Sequence, residues 1–409
     1  MFKGNCVIAQ SGGPTAVINS SLAGAIEAAL GSAAINEVYG ARHGILGILQ
    51  QNLWDLRRED PASIQGLRHT PGAALGSCRY QLKKQEDYEK LLDIFRRYNV
   101  RYFFYIGGND SMDTAAKVNR LAVEEGYDLR VIGIPKTVDN DLPLTDHCPG
   151  YGSAAKFLAA SVLEMGIDIQ SIVTSTKVAI VETMGRNTGW LAAATALARR
   201  QPGDAPHLIY LPEVAFDMAT FLTDVEEAYR QHDTVLVVVS EGLLDKDGNY
   251  IFNDAATQDV FGHQRLGGLG QFLLNKIEGE LKIKGRVILP ATSQRSAMHL
   301  ASRTDAEEAY AVGRAAVEAA VQGASGKMVA LNRQDGEAYC CTCELVDLDQ
   351  VANREKKVPR TWINAQGNDI TAAFINYARP LIQGEVNIPY RDGLPAYVNL
   401  SGHPVPKPE

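Results

Sequence analysis

The sequence predicts an α/β protein with mostly parallel sheets, organised as two domains. Three observations lead there. Short runs of β-branched and aromatic residues end in glycine or polar clusters and give way to helical periodicity, which is the alternation of βαβ units. The chain has 409 residues, more than one ordinary core holds and enough for two, or for one enlarged α/β unit. Each clear strand carries a distinctive polar cluster at its carboxyl end, where ligands of such sheets gather.

In chain order the strands are read at residues 6–10, 101–106, 131–134, 178–183 and 234–240. The clusters that follow them are Ser11-Gly12-Gly13-Pro14-Thr15, Gly107-Gly108-Asn109-Asp110-Ser111, the run from Pro135 to Asp141, Met184-Gly185-Arg186-Asn187, and Glu241-Gly242. Five clusters in one position suggest one site. Residues 244–270 turn polar and glycine-rich and are expected to leave the core as a mobile or interface segment. Beyond residue 351 charged and apolar patterns alternate up to a proline-rich end, and no chemistry is read there.

Composition narrows the classes. Forty Lys and Arg stand against 48 Asp and Glu, a net charge of −8 that opposes general attraction to nucleic acid or to an anionic membrane surface. An anionic substrate must therefore be held by local charge. The six cysteines, Cys6, Cys78, Cys148, Cys340, Cys341 and Cys343, show no paired two-residue spacing of a zinc site or redox dithiol and read as reduced thiols. The opening residues are too short and polar for a signal peptide and no apolar run approaches the length of a membrane span, so a cytoplasmic protein is expected.

The chemistry is read from the clusters. A strand entering Gly107-Gly108, with a helix opening at Ser111, offers backbone N–H groups and a helix N-terminus to a phosphate, as does the turn at Gly12-Gly13. Paired glycines serve equally to turn the chain tightly, and one instance alone does not separate the two readings. Thr137-Val138-Asp139-Asn140-Asp141 packs a hydroxyl and two carboxylates into five residues. Extended, it would turn 137, 139 and 141 to one face; its alternative is an Asx-rich turn. Asp139 is then a candidate general base for a sugar hydroxyl attacking a phosphoryl group. Such transfer needs cations against the spreading charge, and the candidates are Arg79, Lys136, Lys177, Arg186, Arg286 and Arg295, each of which is by itself as readily a solvated surface charge.

Taken in order and spacing, Ala9 to Gly13, Leu75-Gly76-Ser77-Cys78-Arg79, the clusters near 107 and 137, Val181 to Arg186, Ser240-Glu241-Gly242 and Gln294-Arg295-Ser296 resemble the phosphofructokinase family. The resemblance implies two Rossmann-like, three-layer domains with the active site in the cleft between them. Residues 1–150 plus about 296–345 would bind the phosphoryl donor; residues 151–295 plus about 346–409 would bind fructose 6-phosphate. It makes Asp139 the base at the sugar 1-hydroxyl, with Thr137 and Asp141 beside it and Gly12, Gly13, Arg79, Gly107, Gly108, Asp110, Ser111 and Lys136 around the donor. Met184, Gly185, Arg186, Glu241, Arg286, Thr292 and Arg295 would hold the sugar phosphate. Lys177 would reach the 6-phosphate of a neighbouring subunit, which implies a homodimer or homotetramer.

Two departures from the ATP-using pattern bear on the donor. That pattern reads Gly-Gly-Asp-Gly near 107 and Pro-Gly-Thr near 135, where this chain has Gly107-Gly108-Asn109-Asp110 and Pro135-Lys136-Thr137. A carboxylate at Asp110 repels the α-phosphate of ATP and spares a two-phosphate donor, while Lys136 adds a cation suited to pyrophosphate. Both match the pyrophosphate-dependent branch. Asn109 stands where many relatives bind magnesium through Asp, and a neutral amide is a weaker ligand, so Mg²⁺ is also expected on pyrophosphate, Asp110 and water. The first helix lacks the effector-binding arginines of allosteric relatives, implying little nucleotide or phosphoenolpyruvate regulation. An ATP-dependent enzyme and a catalytically silent regulatory subunit are the alternatives. Lipid and NAD kinases share the Gly-Gly-Asp turn but lack the later Met-Gly-Arg and Gln-Arg clusters.

Overall fold

The computed structural model describes residues 2–78, 80, 82, 84–252 and 266–408. Arg79 and the middle of the 244–270 segment lie outside the described residues. Two compact units are formed, Met1–Ser153 with Arg295–Glu355 and Gly384–Glu409, and Ala154–Gln294 with Lys356–Gln383.

The first unit is organised on a seven-stranded sheet. In spatial order the strands are Cys341–Asp347, Lys327–Arg333, Arg130–Pro135, Val100–Gly107, Gly4–Gln10, Ile35–Ala41 and Leu53–Asp55. The five inner strands run parallel and the two edge strands antiparallel. A strand covered on both faces must be apolar throughout rather than alternating, which is why Tyr102-Phe103-Phe104-Tyr105-Ile106 lies wholly buried at the centre. Alternate residues feed two cores. Val7, Ala9, Phe103 and Tyr105 pack with Leu91, Phe95, Met112 and Ala115 on one face. Cys6, Ile8, Tyr102 and Phe104 pack with Ile18, Leu22, Val312 and Ala316 on the other. On that second face the helices Ile18–Leu30 and Arg303–Val321 meet backbone to backbone: a Cβ on Gly24 would stand 2.2 Å from the Tyr310 carbonyl oxygen, and one on Gly313 2.1 Å from that of Ser21.

The second unit holds a four-stranded, all-parallel sheet in the order Leu208–Tyr210, Val235–Ser240, Val178–Thr183, Gly285–Ile288. Val178, Ile180, Val235, Val237 and Val239 pack on one face with Phe221, Leu273, Leu274 and Ile277.

The tail departs from the sequence reading, which assigns all of 346–409 to the second unit. Only 356–383 belongs there, where Trp362, Phe374 and Tyr377 cluster around Trp190. Residues 384–409 fold onto the first unit. The N–H groups of Ser401 and Gly402 donate to the Glu59 carboxylate at 2.7 and 2.9 Å, and that of Val405 donates to the Leu53 carbonyl at 2.9 Å. Side chains 350 residues apart in sequence give no local signal of such pairing.

Candidate active site

In the first unit three adjacent parallel strands, Arg130–Pro135, Val100–Gly107 and Gly4–Gln10, end at the same edge of the sheet, so the loops that follow them converge. Their glycines are explained by what presses on them. Gly12 has φ +75°, and a Cβ there would stand 3.0 Å from Lys136 Nζ. A Cβ on Gly13 would stand 3.1 Å from a terminal nitrogen of Arg295. Lys136 Nζ donates to the Gly13 carbonyl at 2.8 Å, and Ser77 Oγ to that of Gly12 at 2.6 Å. Gly107 is excluded from bearing a side chain by Ser111, whose Oγ would lie 2.0 Å from it. The helix Asn109–Glu124 then opens at Gly108 with no side chain capping its N-terminus, Asp110 exposed in its first turn and Ser111 buried. That end carries partial positive charge suited to an anion.

Lys136 is the electrostatic centre of this group. It is 3 % exposed, and burial pulls its ammonium down to about 8, opposed by the carboxylates of Asp139 and Asp141 and reinforced by the Arg295 guanidinium. Asp139, Asp141 and Arg295 are therefore all within electrostatic reach of Lys136. The segment 137–141 bends, taking the Asx-rich turn and not the extended alternative. Asn140 adopts φ +53°, Thr137 Oγ1 accepts the Asp139 N–H at 3.0 Å, and the buried Asn140 Oδ1 accepts the Cys148 N–H at 2.9 Å. A side-chain-capped turn places the carboxylates by hydrogen bonding instead of by strand alternation.

Asn109 is engaged elsewhere. Its Oδ1 accepts the Asn353 N–H at 2.6 Å, and its Nδ2 donates to the Arg354 carbonyl.

In the second unit the loops after the two inner strands and the segment before residue 294 come together. The Gly185 N–H donates to Glu241 Oε1 at 3.4 Å, Ser240 Oγ donates to the Gly185 carbonyl at 2.6 Å, and the Met184 N–H donates to Gln294 Oε1 at 3.0 Å. Gly185 has φ +136°, and a Cβ on Gly242 would fall 1.7 Å from the Arg186 carbonyl oxygen, so only glycine lets the two loops touch. This groups Met184, Gly185, Arg186, Glu241 and the turn holding Thr292. Lys177 and Arg286 are not part of it. Lys177 precedes Val178 at the amino end of its strand, with its ammonium 5.7 Å from the Tyr229 ring centre; Arg286 sits opposite Ala179 and pairs with Asp168. Arg295, assigned from the resemblance to the sugar phosphate, lies against the donor-side Gly13 and Lys136.

Sequence reasoning missed the residues that hold the loops. Gln10 Nε2 donates to Asn19 Oδ1 at 3.0 Å, its Oε1 accepts the Leu75 N–H at 3.0 Å, and Asn19 Nδ2 donates to the Thr70 carbonyl at 2.9 Å. Both amides are buried, and the loop leading to residue 78 hangs from them. Asp305, also buried, accepts the N–H groups of Gly150 and Ser153 at 2.8 and 2.9 Å. A lone buried amide inside an apolar strand, as at Gln10, is the one signal the sequence offered.

A parallel α/β fold whose strand ends carry glycine turns, buried and paired cations and aspartates defines an enzyme of anionic phosphate chemistry. Residues 5–320 match the family model described as Phosphofructokinase, and the chain belongs to that family. It is 47% identical over 411 residues, 99% of this chain and 98% of the other, to a pyrophosphate--fructose 6-phosphate 1-phosphotransferase of Halomonas elongata. The same identity holds over 413 residues to the one of Xanthomonas campestris pv. campestris, covering 100% and 98%. The crystal structure of a pyrophosphate-dependent phosphofructokinase from Nitrosospira multiformis superposes with a TM-score of 0.91 at 43% identity, covering 99% of this chain and 98% of that one.

Proposed function

We propose that this chain transfers a phosphoryl group from pyrophosphate to the 1-hydroxyl of fructose 6-phosphate, giving fructose 1,6-bisphosphate and phosphate, as a cytoplasmic glycolytic homo-oligomer working in either direction. The observation that carries the donor assignment is the buried Lys136 ammonium, bonded to the Gly13 carbonyl and within electrostatic reach of Asp139, Asp141 and Arg295, together with a helix start that presents Asp110. Full-length likeness to relatives bearing that name supports it.

Asp139 accepts the proton of the 1-hydroxyl. The freed oxygen bonds to the terminal phosphorus of pyrophosphate, the bridging P–O bond breaks, and phosphate departs with that bond's electrons. Lys136, Arg295 and Arg186 meet the charge that spreads over the transferring oxygens. Gly12, Gly13, Gly107, Gly108 and Ser111 bring backbone close to the donor, with Arg79 serving there too. Met184, Gly185, Arg186, Glu241 and Thr292 orient the sugar, Glu241 through its hydroxyls. Lys177 and Arg286, remote from that loop group in their own sheet, serve the 6-phosphate bound by another copy.

Mg²⁺ does not suit Asn109, whose amide is bonded at both ends to residues 353 and 354. Asp110, an exposed carboxylate on the first helical turn, is an oxygen donor of the kind Mg²⁺ takes, with water and pyrophosphate completing its shell. Bound there, Mg²⁺ would neutralise donor charge.

Formation of fructose 1,6-bisphosphate from fructose 6-phosphate and Mg²⁺ tests the reading, with pyrophosphate or ATP as donor. Turnover is expected with pyrophosphate alone, and Asp110→Gly should raise kcat/KM for ATP by about 10²-fold by removing a like-charge clash worth several kcal/mol. Turnover with ATP in the unaltered chain would sink the donor assignment, and turnover with neither would leave a silent subunit.

A further inference from the structure

Away from the candidate site, the outer hairpin of the first unit carries an unassigned cluster of metal-ligating groups. Single ligand atoms of Asp146, His147 and Cys341 lie within 4.8 Å of one another. Cys341 opens the edge strand Cys341–Asp347, and Cys343, two residues on, shares its face. His147 is buried and Cys341 half-buried, so the cluster has a buried side and a more open one.

We propose that Asp146, His147 and Cys341 form a binding site for one thiophilic divalent cation of the zinc class, with water completing its shell. Thiolate, imidazole and carboxylate together select zinc or cadmium over the hard cations Mg²⁺ and Ca²⁺. Ligand atoms around tetrahedral zinc stand about 3.5 Å apart, so closing the cluster needs side-chain movement of about an ångström. His147 Nδ1 faces Asp146 at 3.0 Å and Nε2 faces Glu308 at 2.6 Å. Arg333 reaches Asp146 at 2.8 Å, and the Tyr339 hydroxyl bridges Glu308 at 2.6 Å and the Cys341 sulfur at 3.3 Å. Coordination would replace one N–H bond of His147 and the S–H bond of Cys341 by bonds to the cation, the two protons passing to solvent and nothing being oxidised. The role would be structural: the cation ties the outer hairpin to the loop that follows the 137–141 turn.

The sequence reading found no zinc spacing among the cysteines because their partners, Asp146 and His147, are some 190 residues away. Spacing between cysteines tests only for sites made by cysteines.

The full chain, with Cys340→Ser introduced to remove one exposed thiol, is stripped with chelator and titrated with Cd²⁺ and then Zn²⁺. One equivalent of Cd²⁺ should raise the near-ultraviolet thiolate-to-metal band and release about two protons. Zn²⁺ should compete it away and raise the Tm. Cys341→Ser should abolish the band and weaken binding by at least 100-fold, and Cys343→Ser should leave both unchanged. Equal binding by the Cys341→Ser chain, or no band at stoichiometric Cd²⁺, would overturn the proposal. Because neither cysteine serves phosphoryl transfer, turnover of the Cys341→Ser chain reports correct folding.

Discussion

The two units treat their strand-end loops differently. In the first, three neighbouring parallel strands deliver Gly12, Gly13, Lys136, Asp139 and, through a distant segment, Arg295 to one edge of one sheet. In the second, the loops at 184–186 and 240–242 interlock, but Lys177 and Arg286 lie at the opposite end of the sheet. The first group is thus assembled at one sheet edge, while in the second unit Lys177 and Arg286 stand apart from the interlocked loops. A strand end and a glycine turn are enough to bring backbone N–H groups together, whereas residues at opposite ends of one strand cannot join the same loop group.

The comparison breaks most severely at Asp139. Asp139→Ala should lower kcat by about 10³-fold with the KM for fructose 6-phosphate little changed, because the base acts on the proton in flight. A matching rise in that KM would mean Asp139 binds sugar and belongs with the other half.

Lys136 sharpens the donor side. Lys136→Met should reduce kcat/KM for pyrophosphate by about 10²-fold, near 3 kcal/mol for a charge-assisted bond, and spare fructose 6-phosphate binding. Its ammonium, lowered by burial to about 8, is charged below that pH and loses its proton as the pH rises through it. kcat/KM for pyrophosphate should therefore fall above about pH 8, and Lys136→Arg, charged throughout, should flatten that limb. An unchanged limb in the arginine variant assigns the titration to another group.

The smallest effect tests the shared sugar half. Lys177→Ala should raise the KM for fructose 6-phosphate about tenfold, the loss of one charged contact, with pyrophosphate untouched. Mixed oligomers of Lys177→Ala and Asp139→Ala chains should then regain sites with both residues intact. Activity that merely averages the two parents would place Lys177 outside any shared site.

How much of this was legible follows from range. The central strands are legible because residues 102–106 are buried on both faces, so local apolarity alone reports them. The glycine pairs are legible as turns, though their causes, Lys136 and Arg295 pressing on Gly12 and Gly13 and Ser111 on Gly107, are not. The sequence left 137–141 open between an extended run and an Asx-rich turn because Thr137 and Asn140 spend their side chains on the backbone, a choice that depends on Cys148 eight residues away.

By itself the sequence determined the α/β alternation, the positions of the strand-end clusters and the residue types at the donor loops, because each is written in a few consecutive residues. Only the tertiary structure decided that Arg295 stands beside Gly13, that Asn109 is bonded to residues 353 and 354, that 384–409 return to the first unit, and that Cys341 meets Asp146 and His147. Each of these joins residues more than 100 apart, and the loop entropy and packing that select one long-range pairing over another leave no trace in local pattern.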